Sequence, residues 1–279
     1  MSLHTVLGAT GAQGGAVVTA LLELGETVRA VTRHASSARA QALSAAGVEV
    51  VEADLLDQAA LRAAFADTDT VFAVTTPFES GPQAEIDQGM SILAASVDVA
   101  HLVFSSVSDA DRRTGVPHFD SKAVVESALR ESGRPHTIIG PTYFYDNIVG
   151  SLDEIRETGL LELPIPTTTP LQQLSRRDLG RFAAAVLTDP SVFDGLRIDI
   201  ASDNPTPDEM AATLGAVLDR EVTAVATDPA ELGSDDMRAM FTYLGGHGYS
   251  ADINNLHATH PGIGWQTFGD WLDGVISTR

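Results

Sequence analysis

Along its first 140 residues the chain alternates two hydrophobic rhythms. Short apolar runs rich in β-branched residues fall at 5–7, 27–31, 48–51, 70–74, 101–104 and 136–139. Each of the first five leads into a longer, Ala-rich, helix-like segment, at 13–24, 37–46, 58–66, 83–97 and 119–131. Strand and helix in strict alternation predict an α/β fold with a parallel sheet covered on both faces. Right-handed crossovers make that sheet doubly wound. Beyond Gly140 the rhythm changes. Pro141, Pro164, Pro166 and Pro170 interrupt it, and residues 164–170 predict a loop. Residues 177–187 predict a helix closed by Asp189-Pro190, and 196–200 one more strand. Thr206, with Glu209 three residues on, has the spacing of a capping box. The expected division is a sheet domain over residues 1–150 and a smaller C-terminal α/β domain over 151–279. About 176–202 of the latter is expected to return to the first sheet.

The first strand runs into the first helix through Gly8-Ala9-Thr10-Gly11-Ala12-Gln13-Gly14. Glycines at this spacing allow a tight turn, close approach of a pyrophosphate, and close packing of helix on strand. The helix N-terminus then offers free N–H groups to the phosphates. Between a strand and a helix, the motif predicts a dinucleotide-binding Rossmann fold. A cofactor with a free ribose 2′-OH usually meets an acidic residue near the end of the second strand. Here that end reads Thr32-Arg33-His34. A guanidinium suits a 2′-phosphate, so NADP(H) is expected in preference to NAD(H); the other reading of Arg33 is a surface charge. Asp54 and Leu55 follow the third strand, where a carboxylate can meet the adenine amino group or cap a turn. Thr75, Thr76 and Pro77 end the fourth strand and Ser105 the fifth, beside the crevice that should take ribose and nicotinamide.

Composition narrows the field. The chain has 17 basic and 38 acidic side chains, a formal charge of −21, and no cysteine. Such a surplus of acid disfavours direct contact with nucleic acid or anionic lipid. The lack of cysteine excludes disulfides, thiol catalysis and thiolate metal sites. No apolar run is long enough for a membrane span. Residues 1–8 show no basic leader, so a cytoplasmic protein is expected. His257 and His260 are three apart, but a metal site is not expected there.

Lys122 is the only lysine in the chain. It lies four residues after His118, so a helix reaching back that far puts both on one face. Lys122 can hold ribose hydroxyls or lower a neighbouring acid's pKa; the plain alternative is a solvent-facing pair with Glu126.

With Gly8–Gly14, Val31-Thr32-Arg33, His118-Phe119-Asp120-Ser121-Lys122 and Pro141-Thr142-Tyr143-Phe144-Tyr145-Asp146-Asn147, the sequence resembles the NmrA-like group of atypical short-chain dehydrogenases/reductases. The resemblance implies that the loop of Gly8, Thr10, Gly11, Ala12, Gln13 and Gly14 takes the pyrophosphate. It assigns Arg33 to the 2′-phosphate and Lys122 to the nicotinamide ribose, and places Tyr143, Phe144 and Asn147 on the nicotinamide side. The group's usual catalytic tyrosine is replaced by His118. Two functions follow. One is an NADPH-dependent reductase of a small-molecule substrate, a quinone or other conjugated carbonyl, with Lys122 and His118 catalytic. The other is a non-enzymatic redox sensor that binds NADP(H) and acts through a protein partner. Substrate walls are expected at 159–169 and 237–249.

Overall fold

The computed structural model describes residues 2–277. Six strands and five helices alternate first: β1 (Leu3–Leu7), α1 (Ala12–Glu23), β2 (Thr27–Thr32), α2 (Ala38–Ala45), β3 (Glu49–Glu52), α3 (Gln58–Ala64), β4 (Thr70–Val74), α4 (Gly81–Ala95), β5 (His101–Ser105), α5 (Pro117–Glu131) and β6 (His136–Pro141). There follow β7 (Tyr143–Phe144), α6 (Leu152–Thr158), β8 (Leu160–Leu163), β9 (Gln173–Leu174), α7 (Arg176–Thr188), α8 (Pro190–Phe193) and β10 (Arg197–Ile200). The last elements are α9 (Pro207–Leu218), β11 (Thr223–Ala226), α10 (Asp235–Gly246), α11 (Ile253–Thr259) and α12 (Phe268–Ser277).

Seven strands form one parallel sheet in the order β10-β6-β5-β4-β1-β2-β3. Period-two alternation sends Val6, Phe72, Val103 and Ile139 to one face, where α1 and α7 cover them with Val17, Leu21, Leu179 and Phe182. Their neighbours Leu7, Val71, Leu102, Phe104 and Ile138 point to the other face, under Leu61, Ile92, Val125 and Leu129. Both faces are therefore dry. Gly180 lets α7 lie against α1, because a Cβ there would stand 2.4 Å from the Ala16 carbonyl oxygen. From β1 the chain adds strands outward on one side (β2, β3) and then on the other (β4, β5, β6), and this reversal of strand order between β1 and β4 opens a crevice at the carboxyl ends of the strands.

A separate apolar cluster unites Tyr145, Leu152, Leu161, Leu163, Met210, Leu214, Met240, Phe241, Tyr249, Phe268 and Trp271. It carries two small parallel pairs, β8 with β11 and β7 with β9. The capping box opens α9 as expected: the Glu209 amide donates to Thr206 Oγ1 at 3.2 Å, and the Thr206 amide to Glu209 Oε2 at 2.8 Å. The two C-terminal histidines are absorbed in packing. The His257 ring stacks on Trp265 at 4.9 Å, and His260 packs on Phe193 and Phe182. No helix among the described residues is long and apolar enough to cross a membrane.

Candidate functional site

The glycine loop is held by its own backbone. Gly8 sits at φ +62°, in the left-handed region that favours glycine, and accepts the Gly11 amide at 2.8 Å. A Cβ on Gly14 would stand 2.4 Å from the Gly8 carbonyl oxygen and 2.7 Å from that of Leu7, so only glycine lets α1 start so close to β1. Gly11 caps α1 without a side-chain acceptor, and no acid stands in the first turn. The terminal amides and the positive end of the helix dipole therefore face outward together, a cradle suited to a diphosphate.

That cradle is one wall of a cleft of about 890 Å³. The cleft gathers Gly8, Thr10, Gly11, Ala12, Gln13 and Gly14 with Thr32, Arg33, Asp54 and Leu55 at one end. Thr75, Thr76, Pro77, His118, Lys122, Tyr143, Phe144 and Asn147 stand toward the other. Met237, Met240, Phe241 and Tyr249 close it from the second cluster, so the expected wall at 237–249 reaches the cleft. The expected wall at 159–169 does not; residues 160–164 line a smaller neighbouring hollow of about 280 Å³, which shares Tyr143, Asn147 and Phe241 with the cleft.

Ser105 needs a correction. Its side chain is fully buried and donates from Oγ to Gln13 Oε1 at 2.7 Å, while the next residue, Ser106, lines the cleft. At the end of a strand a shift of one residue exchanges faces. Ser105 thus fixes Gln13 rather than the cleft surface. Asp54 serves partly as the turn cap weighed for it, since the Leu56 amide donates to its Oδ1 at 2.8 Å.

Arg33 is half exposed and forms a two-point pair with Glu79, at 2.5 Å and 2.8 Å. That hydrogen bond and charge raise the guanidinium's pKa, and they hold the Glu79 carboxyl below its usual range.

Lys122 does not face solvent or pair with Glu126. It is 7% exposed, and its Nζ stands 2.8 Å from Glu85 Oε1, with weaker bonds to the Thr75 carbonyl and hydroxyl at 3.3 Å and 3.4 Å. Glu126 turns instead to Arg130 and Arg197. Glu85, fully buried, also accepts Thr75 Oγ1 at 3.0 Å and Ser121 Oγ at 2.5 Å. Helix α5 does reach back past His118, because Pro117 opens it and needs no amide partner. His118 is 6% exposed, and its ring lies 5.8 Å from Phe78 and 4.7 Å from Phe119. Its amide and its Nδ1 both meet Asp236, at 3.0 Å and 2.8 Å. Burial would raise the Asp236 carboxyl, but the His118 ring and amide outweigh it and hold the group below its usual range. Burial, partly offset by Asn147, pushes the Tyr143 phenol up to about 12. A phenol raised this far is a hydrogen-bond donor at neutral pH and not a ready acid. Glu79, Glu85 and Asp236 were not anticipated as site residues; each looks like an ordinary surface acid in or beside a helix.

The NmrA-like family pattern matches residues 2–272. The chain belongs to the NmrA-like family. An NmrA-like family domain-containing oxidoreductase of Aspergillus sp. (strain MF297-2) is 32% identical over 244 residues, covering 76% of this chain and 72% of the relative. An NAD(P)H azoreductase of Xenophilus azovorans is 28% identical over 274 residues, or 98% and 90% of the two chains. A third relative, an oxidoreductase of Aspergillus japonicus, is 35% identical over 161 residues, which are 53% of this chain and only about half, 49%, of that protein. Among solved structures, an NADPH-dependent quinone oxidoreductase of Escherichia coli complexed with NADPH superposes with a TM-score of 0.84 at 22% identity, over 98% and 99% of the chains. NmrA, a negative transcriptional regulator in complex with NADP, superposes with a TM-score of 0.80 at 20% identity, over 97% and 94%. At these identities the superpositions speak for the fold.

Proposed function

We propose that this chain is an NADPH-dependent reductase of a small conjugated carbonyl, a quinone foremost. The observation that carries the reading is the single cleft that joins a bare-glycine diphosphate cradle to Lys122 and His118. Arg33 at the end of β2 would take the 2′-phosphate, leaving Glu79 to solvent. Lys122, anchored by Glu85, would present its remaining N–H groups to ribose hydroxyls. When bound, the nicotinamide supplies the hydride. The protein's part is to orient, to exclude water and to supply a proton. Phe78 stands 72% exposed beside His118, while Tyr143 and Phe241 meet edge to face at 6.0 Å across the same cleft. Flat aromatic walls of this kind suit a planar acceptor. The named activities of the azoreductase relative and of the quinone oxidoreductase of the same fold agree with this class.

The test is steady-state oxidation of NADPH with a panel of quinones and enones, joined to fluorescence titrations of NADPH and NADH on wild type and Arg33→Ala. Turnover is expected with at least one quinone, and Arg33→Ala should erase the preference for NADPH. Equal affinity for both nucleotides in wild type, unaffected by the substitution, would remove the NADP assignment. The second reading, a redox sensor, is favoured by one observation: His118 stands where the group's tyrosine would be. It requires tight NADP(H) binding, no turnover across the panel, and a nucleotide-dependent change in binding to a protein partner.

A further inference from the structure

We propose that Asp236, reaching over from α10, is the positioning residue that makes His118 the proton donor of the site; this inference rests on the reductase reading above. Three observations support it. First, one carboxylate engages two groups of the same residue. The His118 amide, one of the unpaired donors at the start of α5, donates to Asp236 Oδ1, and the ring Nδ1 stands 2.8 Å from either carboxylate oxygen. The ring can then neither rotate nor swing without breaking a bond. Second, Asp236 lies in the first turn of its own helix and beside the first turn of α5. Two positive helix ends favour its ionised form, which agrees with the direction in which His118 displaces its carboxyl. Third, an ionised carboxylate only accepts. Nδ1 must therefore carry a proton, and Nε2 is the nitrogen left to work, on a residue that lines the cleft.

The chemistry closes without a further reactant. The conjugated substrate would gain the hydride that bound NADPH gives up on being oxidised to NADP+. The carbonyl oxygen takes the electron pair displaced from its double bond and gains the proton from His118 Nε2. The imidazolium becomes neutral imidazole, and water restores its proton. Asp236 stays ionised throughout and stabilises the charged ring, as a buried carboxylate does for a catalytic histidine elsewhere. The other groups around the ring do not compete for this role. Phe78 and Phe119 are apolar, and Lys122, one turn along α5, is already neutralised by Glu85. Asp236 lies 118 residues from His118 and belongs to the second apolar cluster's side of the cleft, so the donor is assembled only when α10 is docked.

The experiment uses the full chain with histidine ring nitrogens labelled with ¹⁵N, His118→Phe serving to assign the signal. Without nucleotide, wild type should show the Nδ1–H tautomer when neutral. Asp236→Asn should show a mixture, because an amide can either donate or accept. In the same preparations, Asp236→Asn should lower kcat with a quinone by roughly 10- to 100-fold and leave KM for NADPH and its binding unchanged. Asp236→Glu should recover part of the loss, and adding Asp236→Asn to His118→Phe should cost nothing more. An unchanged tautomer in Asp236→Asn, or an unchanged kcat, overturns the proposal. If wild type turns over no acceptor while the tautomer responds as expected, the reductase reading fails and the positioning of His118 by Asp236 stands.

Discussion

Lys122→Met is the substitution that best separates holding the fold from serving the nucleotide. Its target is an ion pair in a dry place: Glu85 is fully buried, Lys122 nearly so, and the Phe104 ring lies 5.8 Å beneath Nζ. Removing the ammonium leaves Glu85 with two hydroxyl donors, Thr75 and Ser121, and no positive charge. Stranding a buried charge in this way costs about 3–5 kcal/mol, a large part of the roughly 5–15 kcal/mol that holds an ordinary domain together. Glu85→Gln should cost less. The lysine it strands borders the cleft, and a long side chain can carry its charge to water. The double variant Lys122→Met/Glu85→Gln removes both charges and should return to within about 1–2 kcal/mol of wild type.

Urea unfolding followed by far-UV circular dichroism reads these differences at constant m-value. The double variant then becomes the proper background for function. It should be folded, yet bind NADPH less tightly and reduce quinone slowly, because only the lysine's contribution to the nucleotide is missing. Two results would refute the reasoning: a Lys122→Met variant losing less than about 1 kcal/mol, or a double variant no more stable than Lys122→Met. Either would show that the pair is not the buried unit described.

Glu79→Gln should tighten NADPH binding a few-fold and leave NADH unaffected, since the carboxylate occupies the guanidinium that the 2′-phosphate would need; parallel fluorescence titrations decide, and equal effects on both nucleotides would count against it. Gly14→Ala drives a Cβ into the Gly8 and Leu7 carbonyls, so it should destabilise by about 1–3 kcal/mol and abolish dinucleotide binding; retention of both stability and affinity would contradict the cradle. Burial, outweighing Arg197, raises the Asp199 carboxyl from 3.8 to about 6. The folded chain therefore holds more protons there than the unfolded one, and stability falls as pH rises from about 4 through about 6, by up to about 3 kcal/mol. Asp199→Asn should remove that fall, so urea midpoints of the two proteins should diverge between about pH 4 and 7; parallel pH profiles would exclude it.

What could be read from the chain was what local rules govern. The six sheet strands of the first 141 residues begin and end within about two residues of the expected runs, because strands inside a parallel sheet are buried on both faces and show as apolar runs, while the half-buried edge strand β3 keeps only its two valines. The glycine loop was legible because steric need restricts Gly8 and Gly14 to one residue type. Local rules failed where partners come from afar. Lys122 has a perfect i+4 acid in Glu126, yet its partner is Glu85, 37 residues earlier on α4. Asp236 reads as a routine first-turn acid of α10 until the fold brings it to His118. Ser105 was missed by one position because alternation settles a strand's faces only if its register is known.

The missed residues share a logic that bears on the proposed function. Each cationic or protonatable residue assigned to the reaction has a carboxylate supplied by another element: Glu79 for Arg33, Glu85 for Lys122 and Asp236 for His118. They differ in access to water. The Glu79 side chain is 53% exposed, Asp236 20% and Glu85 0%. An exposed pair exchanges easily, because released charges are rehydrated at once and the pair contributes little. A buried pair cannot open without leaving a charge in a medium that solvates it badly. The gradient therefore sets different tasks at the two ends of the cleft. On the proposed reading the carboxylate at the Arg33 end would yield to an incoming phosphate, and recognition there would be a competition between two anions. At the Lys122 end the partner is permanent, so the ammonium's position is settled before any nucleotide arrives. A surplus of acid across the whole chain would thus be compatible with binding a polyanion, since the carboxylate paired with Arg33 is one that water can take back.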